Sequence, residues 1–263
     1  MMNSKILITG SNGFIGQHLS LYLKKKKFKI FGIGNKRSAI VQKTNIYTKN
    51  INGKITSQKL LAYFKNIDII IHCAGSGLGL NYEDDFNKNV LPTFEILKYI
   101  NKLKKKPKII FVSTLSVYKS TTKKIEEEDL VRPSSIYAKN KKSSEDILKL
   151  FSKIYKFDLL IARTASLYGV GLERQLIHDV CKKLENKNFK FNGTGQEIRD
   201  WLHINDMCNL VYKFVLKDFK NINIINCGTG IGNKVKSVIE IIKKIYRIKN
   251  KIKYNKILDS NPS

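Results

Sequence analysis

The sequence predicts an α/β fold in which helices cover both faces of a doubly wound parallel sheet. Two observations support this prediction. Short apolar runs of the kind that form buried strands recur along the chain, and segments with helical periodicity lie between them. The first run is followed at once by a turn with three glycines and then by a helical pattern. Strands that alternate with helices over 263 residues are typical of one large α/β unit with a sizeable core.

The predicted strands come from runs rich in Ile, Leu, Val and Phe. They are Lys5–Thr9, Lys29–Ile33, Asp68–Cys73, Lys108–Ser113, Asp158–Arg163 and Ile222–Cys227. The regular alternation ends near Leu167, where glycine-containing loops begin. We therefore expect a main domain over residues 1–166 and a smaller part over residues 167–263, from which about 203–227 returns to the sheet. A last helix, about Val235–Arg247, has apolar residues along one side and is expected to pack on the core.

The charge balance is strongly basic, yet it does not indicate a nucleic-acid partner. The chain has 49 Lys and Arg against 21 Asp and Glu, a net charge of +28. Lysine greatly outnumbers arginine and forms runs such as Lys24–Lys27 and Lys102–Lys106, which we expect to be solvated. Lysine, asparagine and isoleucine all have A/T-rich codons, so genome composition explains the excess. A basic surface can still attract anionic nucleotides.

Cysteine usage and hydropathy predict a cytoplasmic protein without a membrane anchor. No apolar run approaches the roughly 18 residues of a membrane span. The first strand begins too early to leave room for a signal peptide. Cys73, Cys181, Cys208 and Cys227 are scattered, and none forms a C-x-x-C pair. We therefore expect neither a metal site nor a disulfide, which suits a reducing compartment.

The glycine turn predicts a dinucleotide site of the Rossmann type. Gly10, Gly13 and Gly16 are spaced three residues apart directly after the first strand. Small residues let the backbone approach a pyrophosphate. The helix that begins with Phe14 and Ile15 presents backbone N–H groups and the positive end of its dipole to the same anion. A dinucleotide cofactor is therefore expected at this turn.

A second motif predicts proton chemistry. Tyr137 and Lys141 are four residues apart, so on a helix they share one face. A free phenol has a pKa of about 10, and a neighbouring ammonium is expected to lower the pKa of Tyr137. Thr114 lies at the carboxyl end of a predicted central strand, where such sheets present ligand-binding groups. Its hydroxyl is expected to share a substrate oxygen with Tyr137.

With these motifs the chain resembles the extended short-chain dehydrogenase/reductase family, specifically its nucleotide-sugar epimerase/dehydratase branch. The glycine turn matches the family's cofactor turn, and His72–Gly75 is similar to its fourth-strand motif. Thr114, Tyr137 and Lys141 match its catalytic triad. The segment Arg199–Asp206 is similar to a late signature whose arginine contacts the diphosphate of the sugar nucleotide. The resemblance implies an enzyme with a nucleotide-sugar substrate and often a homodimer.

The resemblance also implies which residues contact each ligand. The cofactor, NAD or NADP, is expected to contact Gly10, Asn12, Gly13, Phe14, Ile15, Gly16, Arg37, Cys73, Ala74, Gly75, Asn89, Tyr137 and Lys141. The substrate is expected to contact Ser116, Ser166, Arg174 and Arg199. The planar guanidinium of Arg199 suits a diphosphate, and an ion pair with Asp200 is the alternative. For Arg174 a surface role is the alternative.

Several positions depart from the family's pattern. The second strand ends in Gly34, where NAD-preferring members carry an acidic residue, and Lys36 and Arg37 follow it. NADP therefore stays open beside NAD. Gly53–Lys54 replaces a Gly-Asp pair near the adenine, and Ser166 replaces an asparagine. The chain ends several dozen residues before most relatives do, so we expect an incomplete C-terminal substrate-binding part.

The resemblance implies oxidation of a sugar C4 hydroxyl, and later steps separate the subfamilies. The 4,6-dehydratases carry an Asp-Glu pair after the catalytic threonine, where this chain has Leu115–Ser116. Dehydration is therefore disfavoured. The cysteine that 3,5-epimerase/reductases use near position 116 is missing too. A 4-epimerase similar to UDP-glucose 4-epimerase is expected, with an NADPH-dependent 4-keto-sugar reductase as the alternative. A non-catalytic nucleotide- or RNA-binding member of the fold is a third interpretation.

Overall fold

The computed structural model describes residues 4–35, 46–76, 81–183, 190–217, 219–249 and 252–255. The strands are β1 (Lys5–Thr9), β2 (Lys29–Gly34), β3 (Lys49–Asn52), β4 (Ile69–His72), β5 (Lys108–Thr114), β6 (Leu159–Thr164), β7 (Ser166–Tyr168), β8 (Lys190–Asn192), β9 (Ile198–His203), β10 (Ile222–Cys227), β11 (Gly232–Lys234) and β12 (Lys253–Asn255). The helices are α1 (Phe14–Lys25), α2 (Ser57–Tyr63), α3 (Tyr82–Asn89), α4 (Leu91–Asn101), α5 (Ile136–Tyr155), α6 (Leu176–Lys183), α7 (Ile204–Leu216) and α8 (Val235–Ile245).

Seven parallel strands form the central sheet in the order β10-β6-β5-β4-β1-β2-β3. Thr9, at the end of β1, lies opposite Ile33 of β2 on one side and His72 of β4 on the other. The chain therefore winds outward in both directions from β1, which confirms the predicted doubly wound fold. The carboxyl ends of β1 and β4 flank the point where the strand order reverses, and a crevice opens there in sheets of this kind.

Two apolar layers cover the sheet because successive side chains of a strand point to opposite faces. Ile6 and Ile8 of β1 pack in one cluster with Leu19 of α1 and Met207 of α7. Leu7 faces the opposite cluster, which α2, α4 and α5 cover. Strands that are buried on both faces read as continuous apolar runs, which is why the sequence identifies them.

The element boundaries differ from the prediction at polar or strained ends. The sequence does not predict β3, an edge strand whose four residues include one apolar side chain, Ile51. β4 begins at Ile69 and ends at His72, one residue inside the predicted run at each end. The last helix ends at Ile245 and not at Arg247, which has a left-handed φ of 55°.

A smaller apolar cluster joins the C-terminal elements. Val180 of α6 packs with Val235 and Ile239 of α8, and Trp201 and Tyr254 lie against them. β7, β9 and β11 form a three-stranded sheet, and β12 pairs with β8. β10 instead lies at the edge of the central sheet beside β6. Among the described residues, no helix combines the length and the apolar character that a bilayer span requires.

Candidate active site

A cleft of about 1410 Å³ opens at the carboxyl ends of the central strands. Its wall combines the glycine turn after β1, the segments after β4, β5 and β6, the start of α5, and parts of β8, β9 and the loop after β10. Of the predicted site residues, those that line the cleft are Gly10, Gly13, Phe14, Ile15, Gly16, Cys73, Gly75, Asn89, Thr114, Ser116, Tyr137, Lys141, Ser166, Arg174 and Arg199. The sequence motifs, which are up to 189 positions apart (from 10 to 199), thus meet at one site.

The glycine turn is shaped by contacts that exclude larger residues. Gly10 has a left-handed φ of 69°, and a Cβ there would come within 2.8 Å of the backbone nitrogen of Ala74. A Cβ on Gly16 would collide with the carbonyl oxygen of Gly10. Gly13 precedes α1 and places no side chain over its first turn. This open, amide-lined turn fits the pyrophosphate of a dinucleotide.

Asn12 and Ala74, both predicted to contact the cofactor, lie behind the cleft wall. Asn12 is buried, and its amide nitrogen donates to the carbonyl oxygen of Gly34 (3.2 Å) and to Oδ1 of Asn52 (3.0 Å). Its Oδ1 accepts from the amide of Asn50 (2.9 Å). Asn12 therefore fastens the glycine turn to the ends of β2 and β3, and Ala74 packs behind the turn.

The segment whose residues would distinguish NAD from NADP lies only partly within the described residues. β2 ends at Gly34 without an acidic residue, as the sequence indicates. Lys36 and Arg37, which carry the prediction of a 2′-phosphate contact, lie outside the described residues. The choice between the two dinucleotides therefore stays a prediction.

Tyr137 and Thr114 meet on the cleft wall. Thr114 ends β5, and Tyr137 lies in the first turn of α5, which Ser135 caps by accepting from the N–H of Ala138 (3.1 Å). The Thr114 hydroxyl lies near enough to the Tyr137 phenol to lower the pKa of that phenol. Thr114 Oγ1 also lies 3.2 Å from Ser116 Oγ. Three hydroxyl groups thus lie side by side next to the glycine turn.

Burial raises the pKa of Tyr137 to about 12. The carboxylate of Asp85 raises the pKa further, whereas Arg174 and the nearby hydroxyl of Thr114 lower it. The expectation that Lys141 lowers this pKa is therefore wrong for this structure. Desolvation of the phenolate outweighs the nearby cations, and the cation that favours the phenolate is Arg174.

Lys141 is buried beneath the cleft and is engaged with β5. Its Nζ donates to the carbonyl oxygen of Val112 (2.7 Å) and lies 4.0 Å from the ring centroid of Phe111. Burial lowers the pKa of Lys141 to about 8, although Glu145, Cys73 and Asp85 oppose this shift. An ammonium with this pKa is close to losing its proton in mildly alkaline solution.

The sequence does not identify a buried ion pair behind these groups. Arg163 and Glu145 have side chains that are 1% and 0% exposed, and the guanidinium approaches both carboxylate oxygens at 3.1 and 2.7 Å. Ser113 also donates to Glu145 (2.6 Å). Glu145 is four residues after Lys141, so the helical period alone places it on the same face of α5. The pair, with Ser113, joins α5, which carries Tyr137 and Lys141, to the strands β5 and β6.

Asp200, the residue next to Arg199, binds the loop after β10. Its carboxylate accepts from the backbone N–H of Thr229 (3.1 Å), the hydroxyl of Thr229 (2.7 Å) and the N–H of Gly230 (2.8 Å). An adjacent residue on β9 therefore fixes this loop against the strand that carries Arg199. The alternation along β9 sends Arg199 to the other face of the strand.

Comparison with known proteins identifies the family. The NAD dependent epimerase/dehydratase family matches residues 6–228. A dTDP-D-glucose 4,6-dehydratase of Dictyostelium discoideum is 29% identical over 93% of the chain and 62% of its own length. A Methanocaldococcus jannaschii protein, provisionally named UDP-glucose 4-epimerase, is 27% identical over 95% of the chain and 85% of its own length. The chain thus spans less than two thirds of the first of these relatives.

A solved structure has the same fold. It is the UDP-glucuronic acid 4-epimerase of Bacillus cereus in complex with UDP-glucuronic acid and NAD, with a TM-score of 0.86 and 24% identity. The superposition covers 98% of this chain and 88% of that one. The family match extends from β1 to the end of β10 and includes the glycine turn, Thr114, Tyr137 and Lys141. The resemblance seen in the sequence is confirmed: the chain belongs to the NAD dependent epimerase/dehydratase family, whose members are nucleotide-sugar enzymes that use NAD(P).

Proposed function

We propose that this chain is a nucleotide-sugar 4-epimerase that acts through a 4-keto sugar. The observation that carries the proposal is the meeting of Thr114, Tyr137 and Lys141 beside a dinucleotide-type glycine turn, in a cleft of about 1410 Å³. The cleft is large enough for a cofactor and a sugar nucleotide together. The provisional name of the archaeal relative supports the same activity.

The residues that would hold the dinucleotide are those of the glycine turn, together with Cys73, Gly75 and Lys141. When bound, the cofactor supplies a reversible hydride acceptor. The chain's own residues supply the binding surface and the proton chemistry. The left-handed Gly10 and the close approach of Gly16 leave the turn open to phosphate oxygens.

Tyr137 is the group that exchanges a proton with the C4 hydroxyl of the sugar. Thr114 holds the same oxygen through its hydroxyl, which lines the cleft with the phenol. Tyr137 in its phenolate form accepts the proton when the C4 carbon is oxidised, and the resulting phenol returns it when the carbon is reduced from the other side, so no net proton is consumed. Arg174 supplies the positive charge that favours the phenolate, while the buried ammonium of Lys141 donates to the carbonyl oxygen of Val112.

The segment after Thr114 favours epimerisation over dehydration. Elimination of water across C5 and C6 needs an acid and a base next to the catalytic threonine. Here Leu115–Val117 forms a 3₁₀ turn whose polar side chain is Ser116, and its hydroxyl bonds to Thr114. Epimerisation needs no such groups, because rotation of the keto sugar between the two hydride transfers is sufficient.

A second candidate is a 4-keto-sugar reductase that consumes NADPH. It is favoured by the end of β2 at Gly34, where no carboxylate is available to bind a ribose 2′-hydroxyl. The two activities differ in stoichiometry. A reductase oxidises one NADPH per sugar, whereas an epimerase leaves the total of reduced cofactor unchanged.

The test is to incubate the purified chain with UDP-glucose or UDP-glucuronic acid and to separate the 4-epimers by chromatography. We expect interconversion with catalytic NAD or NADP and without added reductant. Tyr137→Phe should lose about 10²- to 10⁴-fold in kcat, because the proton exchange is removed. Tyr155→Phe, at the other end of α5, is the matched control and should keep its rate.

Mass spectrometry of the nucleotides that co-purify identifies the dinucleotide and the sugar directly. Turnover that appears only with a 4-keto sugar and consumes NADPH would replace the epimerase by the reductase. If neither activity is found, or if Tyr137→Phe turns over as fast as the wild type, the enzymatic proposal fails.

A further inference from the structure

Asp85 is a buried carboxylate on the inner wall of the cleft, and the proposed chemistry does not use it. It is 1% exposed, whereas Glu83 and Asp84 in the same first turn of α3 are exposed to solvent. Removing a charge from water is costly unless hydrogen bonds or opposite charges compensate. The contacts of Asp85 should therefore reveal what the residue does.

The carboxylate of Asp85 joins two buried amides from different helices. Its Oδ1 accepts from Nδ2 of Asn89, on the same helix α3 (2.9 Å), and from Nδ2 of Asn140, on α5 (2.8 Å). Asn89 is 0% and Asn140 4% exposed. Asn140 lies between Tyr137 and Lys141 in the sequence of α5. The hydrogen bond from Asn140 to Asp85 therefore fixes the turn of α5 that carries both proposed catalytic groups.

Asn89 in turn is hydrogen-bonded to Ser76, in the wall of the cleft. Its Oδ1 accepts from the backbone N–H of Ser76 (3.1 Å), and its Nδ2 also donates to the carbonyl oxygen of Ser76 (3.0 Å). Asp85 can only accept when ionised, so it forces the nitrogen of Asn89 to its own side. The same orientation presents the oxygen to Ser76, which follows Gly75 at the edge of the cleft.

We propose that Asp85 is a positioning residue of this active site, whose carboxylate orients Asn89 and Asn140. It thereby ties the Ser76 wall of the cleft to the turn of α5 that carries Tyr137 and Lys141. The inference deepens the proposed function and rests on it for its catalytic consequence. The hydrogen-bonded chain from Asn140 through Asp85 and Asn89 to Ser76 stands independently of the substrate.

The charge of Asp85 also acts on both neighbours. Burial is the larger cause in each case, but Asp85 raises the pKa of Tyr137 and of Lys141. Arg174 opposes this effect at Tyr137, from the segment before α6. At Lys141 the other acidic neighbours are Glu145 on α5 and Cys73 after β4. Buried His72 on β4 also feels the charge of Lys141. Neutralising Asp85 therefore lowers both pKa values.

Three variants separate the hydrogen bonds from the charge. Asp85→Asn keeps an acceptor oxygen for Asn89 and Asn140 and removes the charge. Asp85→Ala removes both. Asp84→Asn is the matched control, because it makes the same charge change at the neighbouring exposed position.

We expect Asp85→Ala to lower kcat by about 10- to 100-fold, since small displacements of reacting groups are that costly. Asp85→Asn should recover most of this loss, and both limbs of its pH–rate profile should move to lower pH by about one unit. Hydrogen–deuterium exchange gives a readout without turnover. The amide of Ser76 should exchange faster in Asp85→Ala, and at the wild-type rate in Asp85→Asn and Asp84→Asn.

Three results would overturn the inference. One is an Asp85→Ala enzyme with wild-type kcat. Another is exchange that rises across the whole chain with a collapsed melting temperature, which indicates a general structural role. The third is an Asp85→Asn variant that recovers neither kcat nor the protection of Ser76. If the wild type converts no nucleotide-sugar, the proposed function fails on its own, while exchange at Ser76 still tests the positioning role.

Discussion

At the scale of single residues, tertiary surroundings decide the chemistry of side chains that the sequence can only locate. Tyr137 and Lys141 were recognisable from their spacing, because a helix places residues four apart on one face. The upward shift of the Tyr137 pKa could not be predicted in this way, because desolvation depends on elements remote in the sequence. Asn12 shows the same limit. Its hydrogen-bond partners lie 22 to 40 positions away in the sequence. No local sequence pattern can therefore show whether its side chain binds neighbouring strands or a ligand.

Gly10→Ala should destabilise the fold and weaken dinucleotide binding together. The new Cβ meets the Ala74 backbone at 2.8 Å, and the left-handed φ of 69° adds strain, for a loss of about 1–3 kcal/mol in the free energy of unfolding. Urea denaturation and titration with NADH and NADPH measure the two effects. Gly53→Ala is the control: its φ is 119°, but its Cβ meets only the flexible end of Lys59. Equal binding losses in both variants would contradict the role of the turn.

His72 should make the protein sensitive to acid. Burial lowers its pKa to about 3 in the folded state, against about 6.5 when unfolded. The unfolded chain therefore binds the proton more readily, and stability should fall as the pH drops from about 6.5 towards 3, by at most about 1.4 kcal/mol per pH unit from this group. The imidazole bonds to the hydroxyls of Thr9 (2.7 Å) and Thr93 (3.1 Å).

His72→Gln should keep one or both of these contacts and flatten the acid dependence. Urea midpoints between pH 7 and 4.5 measure the difference in slope between this variant and the wild type. His178→Gln, at a half-buried histidine outside the central sheet, is the control. Parallel slopes for wild type and His72→Gln would contradict the prediction.

At the scale of elements, the sequence is informative where a strand is buried on both faces and silent where it is not. All six predicted strands are found, since central parallel strands are continuous apolar runs. β3 is missed because it is a polar edge strand, held by Asn50 and Asn52 through contacts with the glycine turn. The Glu145–Arg163 pair is missed for a related reason: its members belong to α5 and β6, and only packing brings them together.

Breaking this ion pair from one side should be costlier than removing it whole. Glu145→Leu or Arg163→Met alone leaves an unpaired charge in a site that is at most 1% exposed, at a cost of about 3–5 kcal/mol. The double variant should lose less than either single change, because two apolar side chains can pack in the space. Denaturation of the four proteins in a double-mutant cycle measures this, and additive losses would contradict it.

At the scale of the whole molecule, the chain carries a net charge of +28, and its cleft is proposed to take anionic ligands. A positive field of this size speeds the encounter with a sugar nucleotide and is screened by salt. The value of kcat/KM should therefore fall several-fold between about 20 and 300 mM KCl, with a much smaller change in kcat. Sucrose at matched viscosity is the control. A value of kcat/KM that is independent of salt would show that the positive charge of the lysines does not speed the association of the substrate.

The pairing of Glu145 with Arg163 also restricts the history that this sequence can have. The buried site at positions 145 and 163 contains no unpaired charge only when both charged residues are kept or both are replaced. A variant with only one of the two replaced is therefore destabilised. Ordinary drift, one substitution at a time, is therefore blocked at both positions. Relatives that have lost the ion pair should carry replacements at both positions. In an alignment of relatives, positions 145 and 163 should therefore co-vary even though they are 18 residues apart in the sequence. Covariation at these two buried positions would thus reflect the ion pair that lies behind the cleft.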